Sequence, residues 1–265
     1  MKQNTHAQER QVVLITGGNS GIGFAAAKKL AQHGFHVVLA SRNQKISAHA
    51  IQQILNIQPE ASLESIPLDL SSLDSVRQCA KDFLNKGYSL NVLINNAGGS
   101  ISGKHASFSA DGFELTLATN HYGHFLLTNL LLDNLVKSAP SRVITVSSQL
   151  HVPGYGMGPA PDFDWENLDG SKYYNPQVFY KNSKLANIWF AYELHRRFSS
   201  AGVISLAVCP GFVPQAIGNR RTNPIERFLY LQILNRMPFS RTIDQASEAY
   251  LRIATGSRYA SMGGK

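Results

Sequence analysis

Two residues on one predicted helix, Tyr180 and Lys184, carry the most specific chemistry in this sequence. Four positions apart, they share a helix face. A phenol ionises near pH 10, too high for ready acid–base work at neutral pH. An ammonium about 4 Å away favours the phenolate by about 4 kcal/mol at an effective dielectric of 20, or about three pKa units. Taken alone, such a pair is usually a solvated helix surface. Its context is different here. Ser148 follows a predicted strand, where its hydroxyl can meet a substrate carbonyl beside the tyrosine. Asn120 lies inside a predicted helix, in Thr119-Asn120-His121-Tyr122-Gly123, where a polar amide needs a partner or bends the helix.

A second chemical signal lies near the N-terminus. Val12–Ile15 reads as a buried strand, and Thr16-Gly17-Gly18-Asn19-Ser20-Gly21-Ile22-Gly23 as a glycine-rich turn opening an alanine-rich helix at about Ile22. Such a turn lets backbone N–H groups approach a phosphate, and the positive helix end adds attraction. The spacing is wider than G-x-G-x-x-G.

The elements needed to position these residues alternate as strand and helix, the pattern of a parallel sheet covered on both faces. Strands are expected at His36–Ala40, Leu63–Leu68, Asn91–Ile94, Arg142–Val146 and Val203–Val208. Helices are expected from about Ile46 to Ile57, from a Ser71 or Ser72 cap through Lys86, over Asp111–Val136, over Pro176–Ser199, and at about Asp244–Ala254. The expectation is a single doubly wound α/β domain over residues 1–265, with six or seven strands. A seventh strand would fall where the sequence reaches Met262-Gly263-Gly264-Lys265, so either the chain continues or the sheet has one strand fewer. Irregular segments at 149–174 and 212–241 are expected on the substrate side.

Composition removes other classes. The formal charge is +8, but the basic residues are scattered and no nucleic-acid motif appears. No apolar run of about 18 residues exists and residues 1–10 are polar, so neither a membrane span nor a signal peptide is visible and a cytoplasmic location is expected. Cys79 and Cys209 form no spaced cluster and read as buried thiols in a reducing compartment. His121, His124 and His151 lack a metal-site pattern and read as packing residues. Trp165 and Trp189 read as core or rim.

Together, T-G-x-x-x-G-x-G at Thr16–Gly23 and the set Asn120, Ser148, Tyr180 and Lys184 resemble the short-chain dehydrogenase/reductase family. The resemblance implies a Rossmann-type fold and a nicotinamide cofactor. It implies that Tyr180 is the acid–base group, that Ser148 orients the substrate oxygen, and that Lys184 binds the nicotinamide ribose. Asn120 would hold a relay water. It also implies cofactor contacts from Gly17, Asn19, Ser20, Gly21, Ile22 and Gly23; from Asp69 and Leu70 at the adenine; from Asn96, Ala97 and Gly98; and from Pro210, Gly211 and Val213 near the nicotinamide. The family's threonine a few residues after Pro210-Gly211 is missing from Phe212-Val213-Pro214-Gln215.

Ser41 and Arg42 end the second strand where NAD-specific relatives carry an acid, so NADP(H) is the expected cofactor, with Lys45 able to share the role. The runs Asp111–Leu115, Thr119–Leu127, Ser183–Asn187 and Glu193–Arg197 resemble the branch of retinol dehydrogenase-like and protochlorophyllide reductase-like enzymes. Ile94, where light-dependent reductases have cysteine, and the presence of Ser148 favour an ordinary carbonyl or alcohol substrate. Carbon–carbon double-bond reduction and a non-catalytic NADP-binding scaffold are the alternatives. The residue types of the irregular segments suggest a large apolar substrate. Pro224–Met237, flanked by Arg220, Arg221, Arg227, Arg236 and Arg241, is expected as a lid; a peripheral membrane contact or a homo-oligomer contact are the other readings.

Overall fold

The computed structural model describes residues 10–100, 103–153, 158–216 and 231–264. Six strands, β1 (Val12–Thr16), β2 (His36–Ser41), β3 (Ser62–Pro67), β4 (Leu90–Asn95), β5 (Ser141–Val146) and β6 (Val203–Val208), form one parallel sheet in the order β3-β2-β1-β4-β5-β6. The order reverses between β1 and β4, which opens a crevice beyond their carboxyl ends, the usual ligand position in such sheets.

The strands are apolar on both faces because both are covered. All five residues of β1 are buried, and they alternate between two cores. Val13 and Ile15 join Val37, Leu39 and Ile94 beneath α1 (Gly21–Gln32) and the last helix, α8 (Ile243–Thr255). Val12 and Leu14 join Val38, Leu93, Leu127 and Phe190 on the other face. That face is covered by α3 (Leu73–Asn85), α5 (Gly123–Leu130) and α7 (Pro176–Phe198). Caps follow the sequence: Asn43 Oδ1 accepts from Ile46 N at the start of α2 (Gln44–Leu55), Ser72 caps α3, and Thr242 with Gln245 forms a capping box on α8.

The single helix expected over Asp111–Val136 is instead broken. Gly112, at φ +81°, turns the chain, and an antiparallel bridge joins Phe108 to Glu114. Helix begins only at α4 (Leu115–Leu117), where the Glu114 carboxylate accepts from Leu117 N at 2.8 Å. Ala118–Tyr122 then forms a π-helical turn, followed by α5 and, after Leu131, by α6 (Leu132–Lys137). An apolar periodicity of this length conceals a one-residue π insertion, which is why the sequence reads as continuous helix.

Beyond α8, Gly264 N donates to the Ser205 carbonyl of β6 at 2.9 Å. No seventh strand is present among the described residues. Of the lid expected over Pro224–Met237, residues 224–230 lie outside the described residues, as do the flanking Arg220 and Arg221, and 231–235 is helical. Trp165 and Trp189 lie at the rim, 70% and 45% exposed, each against Phe163. No helix of the described residues is long and apolar enough to cross a membrane.

Candidate active site

The glycine-rich turn joins β1 to α1 at the crevice. Gly17 has φ +65°, a conformation that favours glycine, and a Cβ on Gly23 would stand 2.4 Å from the Gly17 carbonyl oxygen. The helix therefore starts against the strand end, with Ser20 extended at its N-cap and making no side-chain cap bond. Beside the turn, the Asn19 amide donates to Ser41 Oγ (2.9 Å) and Ser47 Oγ (3.3 Å), and the two hydroxyls lie 2.6 Å apart. Ser47, buried on α2, escaped the sequence reading because a serine in a helix carries no signal of its own. Arg42 and Lys45 are exposed next to this cluster. Asp69 Oδ1 accepts from Ser71 N and Oγ, and a Cβ on Gly123 would meet the Leu70 carbonyl at 2.4 Å.

The Asn95–Gly98 loop binds the turn directly. Thr16 Oγ1 accepts from Asn96 N and Ala97 N, both at 2.9 Å, while Asn96 Nδ2 donates to the Thr16 carbonyl. Gly98 touches the second half of the site: a Cβ there would lie 2.7 Å from Asn120 Oδ1 and 3.5 Å from Lys184 Nζ.

Asn120 sits in the π turn and is fully buried. Its side chain accepts from Gly99 N and donates to the Gly99 carbonyl and to Ser183 Oγ. Its carbonyl oxygen accepts from His124 Nδ1 (3.0 Å) and Asn187 Nδ2 (3.2 Å). The amide that looked awkward in a helix thus ties the π turn to the Gly99 loop and to α7. Asn187 also donates to the Val146 carbonyl and contacts His121 Nδ1 through Oδ1. His124 has the packing position the sequence reading gave it, but neither its hydrogen bonds nor those of Asn187 were read from sequence, since one polar residue on an apolar helix face is ambiguous.

Asn175 caps α7 with Pro176 at its first position. This helix places Tyr180 and Lys184 across from Ser148, whose side chain lies close enough to the phenol to influence its ionisation. Lys184 Nζ lies 5.6 Å from the Tyr180 ring centroid and donates to the Val146 carbonyl at 3.2 Å. Burial pushes the Tyr180 phenol up, and Ser148 opposes this. Burial also brings the Lys184 ammonium down to about 8. The depression of the phenol expected from an adjacent ammonium is not realised here. Nζ faces the ring and a carbonyl rather than the hydroxyl, so burial dominates.

Ser148 also begins the irregular segment that returns to α7, and α7 fastens that segment. Lys181 Nζ donates to the Pro159 carbonyl (2.7 Å), and the buried Asn182 amide pairs with both Asp162 N and the Asp162 carbonyl. At its far end the Tyr174 hydroxyl donates to the buried Glu114 carboxylate. On the opposite wall Gly211, at φ +87°, lies under the Arg241 side chain, Arg241 N donates to the Phe212 carbonyl, and Val213 is buried. Pro210 is half-buried beside Cys209, whose thiol is pushed up by burial against the opposing influence of Lys184 and Ser147.

Residues 11–160 match the family model described as short chain dehydrogenase. The chain belongs to the short-chain dehydrogenase family. Within it, the chain is 44% identical to retinol dehydrogenase 11 of Homo sapiens over 203 residues, covering 77% of this chain and 61% of that protein. It is 39% identical over 259 residues to the WW domain-containing oxidoreductase of Gallus gallus, covering 96% and 60%. Retinol dehydrogenase 12 of Bos taurus is 38% identical over 257 residues, covering 96% and 76%. This short-chain dehydrogenase therefore lies in the retinol dehydrogenase-like branch of a family of oxidoreductases that bind nicotinamide cofactors, and it spans about 60% of the length of the first two relatives. The Pseudomonas aeruginosa RhlG/NADP complex has the same fold (TM-score 0.76, 23% identity, 96% and 92% of the two chains).

Proposed function

We propose that this chain, read as one domain, is an NADP(H)-dependent oxidoreductase acting on the carbonyl or alcohol carbon of a large apolar substrate. The observation that carries the reading is Lys184 Nζ over the Tyr180 ring at 5.6 Å, with Ser148 just past the end of β5 beside the same phenol. When bound, the dinucleotide supplies or accepts the hydride. Ser148 holds the substrate oxygen against the Tyr180 hydroxyl, which gives up or takes the proton. The residues present fit the cofactor. A glycine turn at positive φ opens a 12-residue helix, a dinucleotide site in its simplest form. Beside it, the Asn19–Ser41–Ser47 hydroxyl cluster and the exposed Arg42 offer neutral donors and a cation to a ribose phosphate, with no carboxylate at Ser41 to repel one. Gly17, Ser20, Gly21, Ile22, Gly23, Asp69, Leu70, Asn96, Ala97, Gly98, Pro210, Gly211 and Val213 complete the proposed contact set.

Because burial keeps the phenol protonated at neutral pH, Tyr180 is poised as an acid for carbonyl reduction. Alcohol oxidation needs the phenolate, so its rate rises with pH while reduction stays level through neutrality. The test is NADPH consumption with a panel of apolar aldehydes and ketones. Turnover supports the proposal; NADPH binding without turnover of any carbonyl on the panel would leave the scaffold reading instead.

A further inference from the structure

The Asn19, Ser41 and Ser47 side chains meet at the carboxyl ends of β1 and β2, where Gly17 N donates to the Ala40 carbonyl at 2.8 Å. Asn19 belongs to the glycine turn, Ser41 ends β2 and Ser47 lies on α2. Each of the three touches the other two, so their hydrogens decide the pattern. Each hydroxyl supplies one hydrogen and the amide nitrogen supplies two. Were the amide oxygen turned towards the serines, only the two hydroxyl hydrogens would remain for three contacts. With Nδ2 towards them, the amide fills two contacts, at 2.9 Å to Ser41 Oγ and 3.3 Å to Ser47 Oγ. One hydroxyl fills the third, between the two Oγ atoms at 2.6 Å. A single O–H is left over.

Burial decides which serine carries it. Among the described residues neither hydroxyl has another hydrogen-bond partner. Ser47 has no accessible surface, whereas Ser41 keeps 6%. An O–H denied both a partner and water costs the most. Ser47 therefore donates to Ser41, and the spare hydrogen belongs to Ser41. Ser41 Oγ accepts from both Asn19 and Ser47, which fills its two lone pairs. Towards a ligand it can donate but not accept.

We propose that Ser47 is a positioning residue for cofactor choice: by occupying the second lone pair of Ser41 Oγ, it makes that hydroxyl a donor only. The inference rests on the NADP(H) reading. A ribose 2′-phosphate is an ionised acceptor, which makes the stronger bond with such a donor. A ribose 2′-hydroxyl accepts only as a neutral group, and the hydrogen it offers in return finds no lone pair on Ser41. Ser47 thus favours the phosphorylated dinucleotide without touching it. The exposed Arg42 supplies charge, and the hydroxyl pair supplies direction.

Isothermal titration calorimetry with NADPH and with NADH tests this without any substrate. It compares the unaltered protein, Ser47→Ala, Ser41→Ala and the double variant. Alanine is the strongest helix former, so Ser47→Ala keeps α2. The ratio of the NADH Kd to the NADPH Kd should fall about fivefold in Ser47→Ala. On the Ser41→Ala background the same change should move the ratio by less than about twofold, because Ser47 acts through Ser41. A loosened Asn19 alone would weaken both dinucleotides alike. An unmoved ratio in Ser47→Ala therefore overturns the proposal, and so does an equal fall on the Ser41→Ala background. The unaltered protein separates the two levels. If it binds NADH more tightly than NADPH, the NADP(H) reading fails and the inference with it. If it prefers NADPH while Ser47→Ala leaves the ratio unmoved, the inference fails alone.

Discussion

His124 Nε2 lies 2.8 Å from Thr16 Oγ1, and the same ring's Nδ1 lies 3.0 Å from the Asn120 carbonyl. A carbonyl can only accept, so Nδ1 carries the proton and Nε2 accepts from the threonine hydroxyl. A neutral imidazole therefore joins the glycine turn to the π turn, deep in the protein.

That arrangement predicts acid sensitivity. Burial holds His124 at about 3, well below its ordinary 6.5. The unfolded chain takes up the proton first, so stability contributed by the neutral ring is fully present above pH 6.5 and is lost as pH falls from there towards 3. Between pH 7 and pH 5 the unaltered protein should lose about 2 kcal/mol more than His124→Asn, which keeps a donor for the Asn120 carbonyl. Urea unfolding at the two pH values measures this, and equal losses would refute it.

Lys184 predicts the opposite of a stabilising charge. Its ammonium is buried, at about 8 instead of 10.5, because it has been taken out of water. Folding thus disfavours the protonated form, and native stability rises as pH climbs from 8 to 10.5. Lys184→Met should gain about 1–3 kcal/mol at pH 7, offset in part by the lost bond to the Val146 carbonyl, while losing activity. The gain should shrink as pH climbs from 8 to 10.5 and be gone above that. Thermal or urea unfolding checks the sign, and a variant less stable at pH 7 contradicts it.

Tyr180→Phe keeps the ring under Lys184 and removes the hydroxyl beside Ser148. Turnover should fall by about 10²-fold or more, with NADPH affinity little changed. Near-native turnover on every accepted substrate would show that another group moves the proton.

Ser41→Asp combined with Arg42→Ala should reverse a preference for NADPH over NADH, since one change adds repulsion and the other removes attraction. The aspartate also displaces the hydroxyl shared with Asn19 and Ser47, so some loss with both cofactors is expected. Values of kcat/KM for both cofactors at fixed salt decide it; an unaltered protein that favours NADH sinks the idea.

Elements with continuous apolar strands were legible in the sequence. Val203–Val208 has the expected bounds, and His36–Ser41 differs by one residue. The residues Thr16, Asn120, Ser148, Tyr180 and Lys184 were legible through type and spacing, and the structure brings them to one crevice. What escaped depends on partners distant in sequence. Asn182 and Glu114 look like surface polar residues until Asp162 and Tyr174 are folded against them. The π turn around Asn120 leaves the apolar pattern intact, so periodicity could not show it. The direction of the Tyr180 shift escaped for a related reason: an estimate from sequence spacing contains the ammonium but not the burial.

The contacts that α7 makes with the segment after Ser148 grip only main-chain atoms, the N–H and carbonyl of Asp162 and the carbonyl of Pro159. Main-chain atoms are the same whatever amino acid carries them. The side chains of this segment can therefore be rewritten residue by residue while its backbone stays attached to α7. A library randomised at positions 160, 162, 163 and 164, with Lys181 and Asn182 kept, should melt close to the unaltered protein; the same library on an Asn182→Leu background would lose that shared anchor.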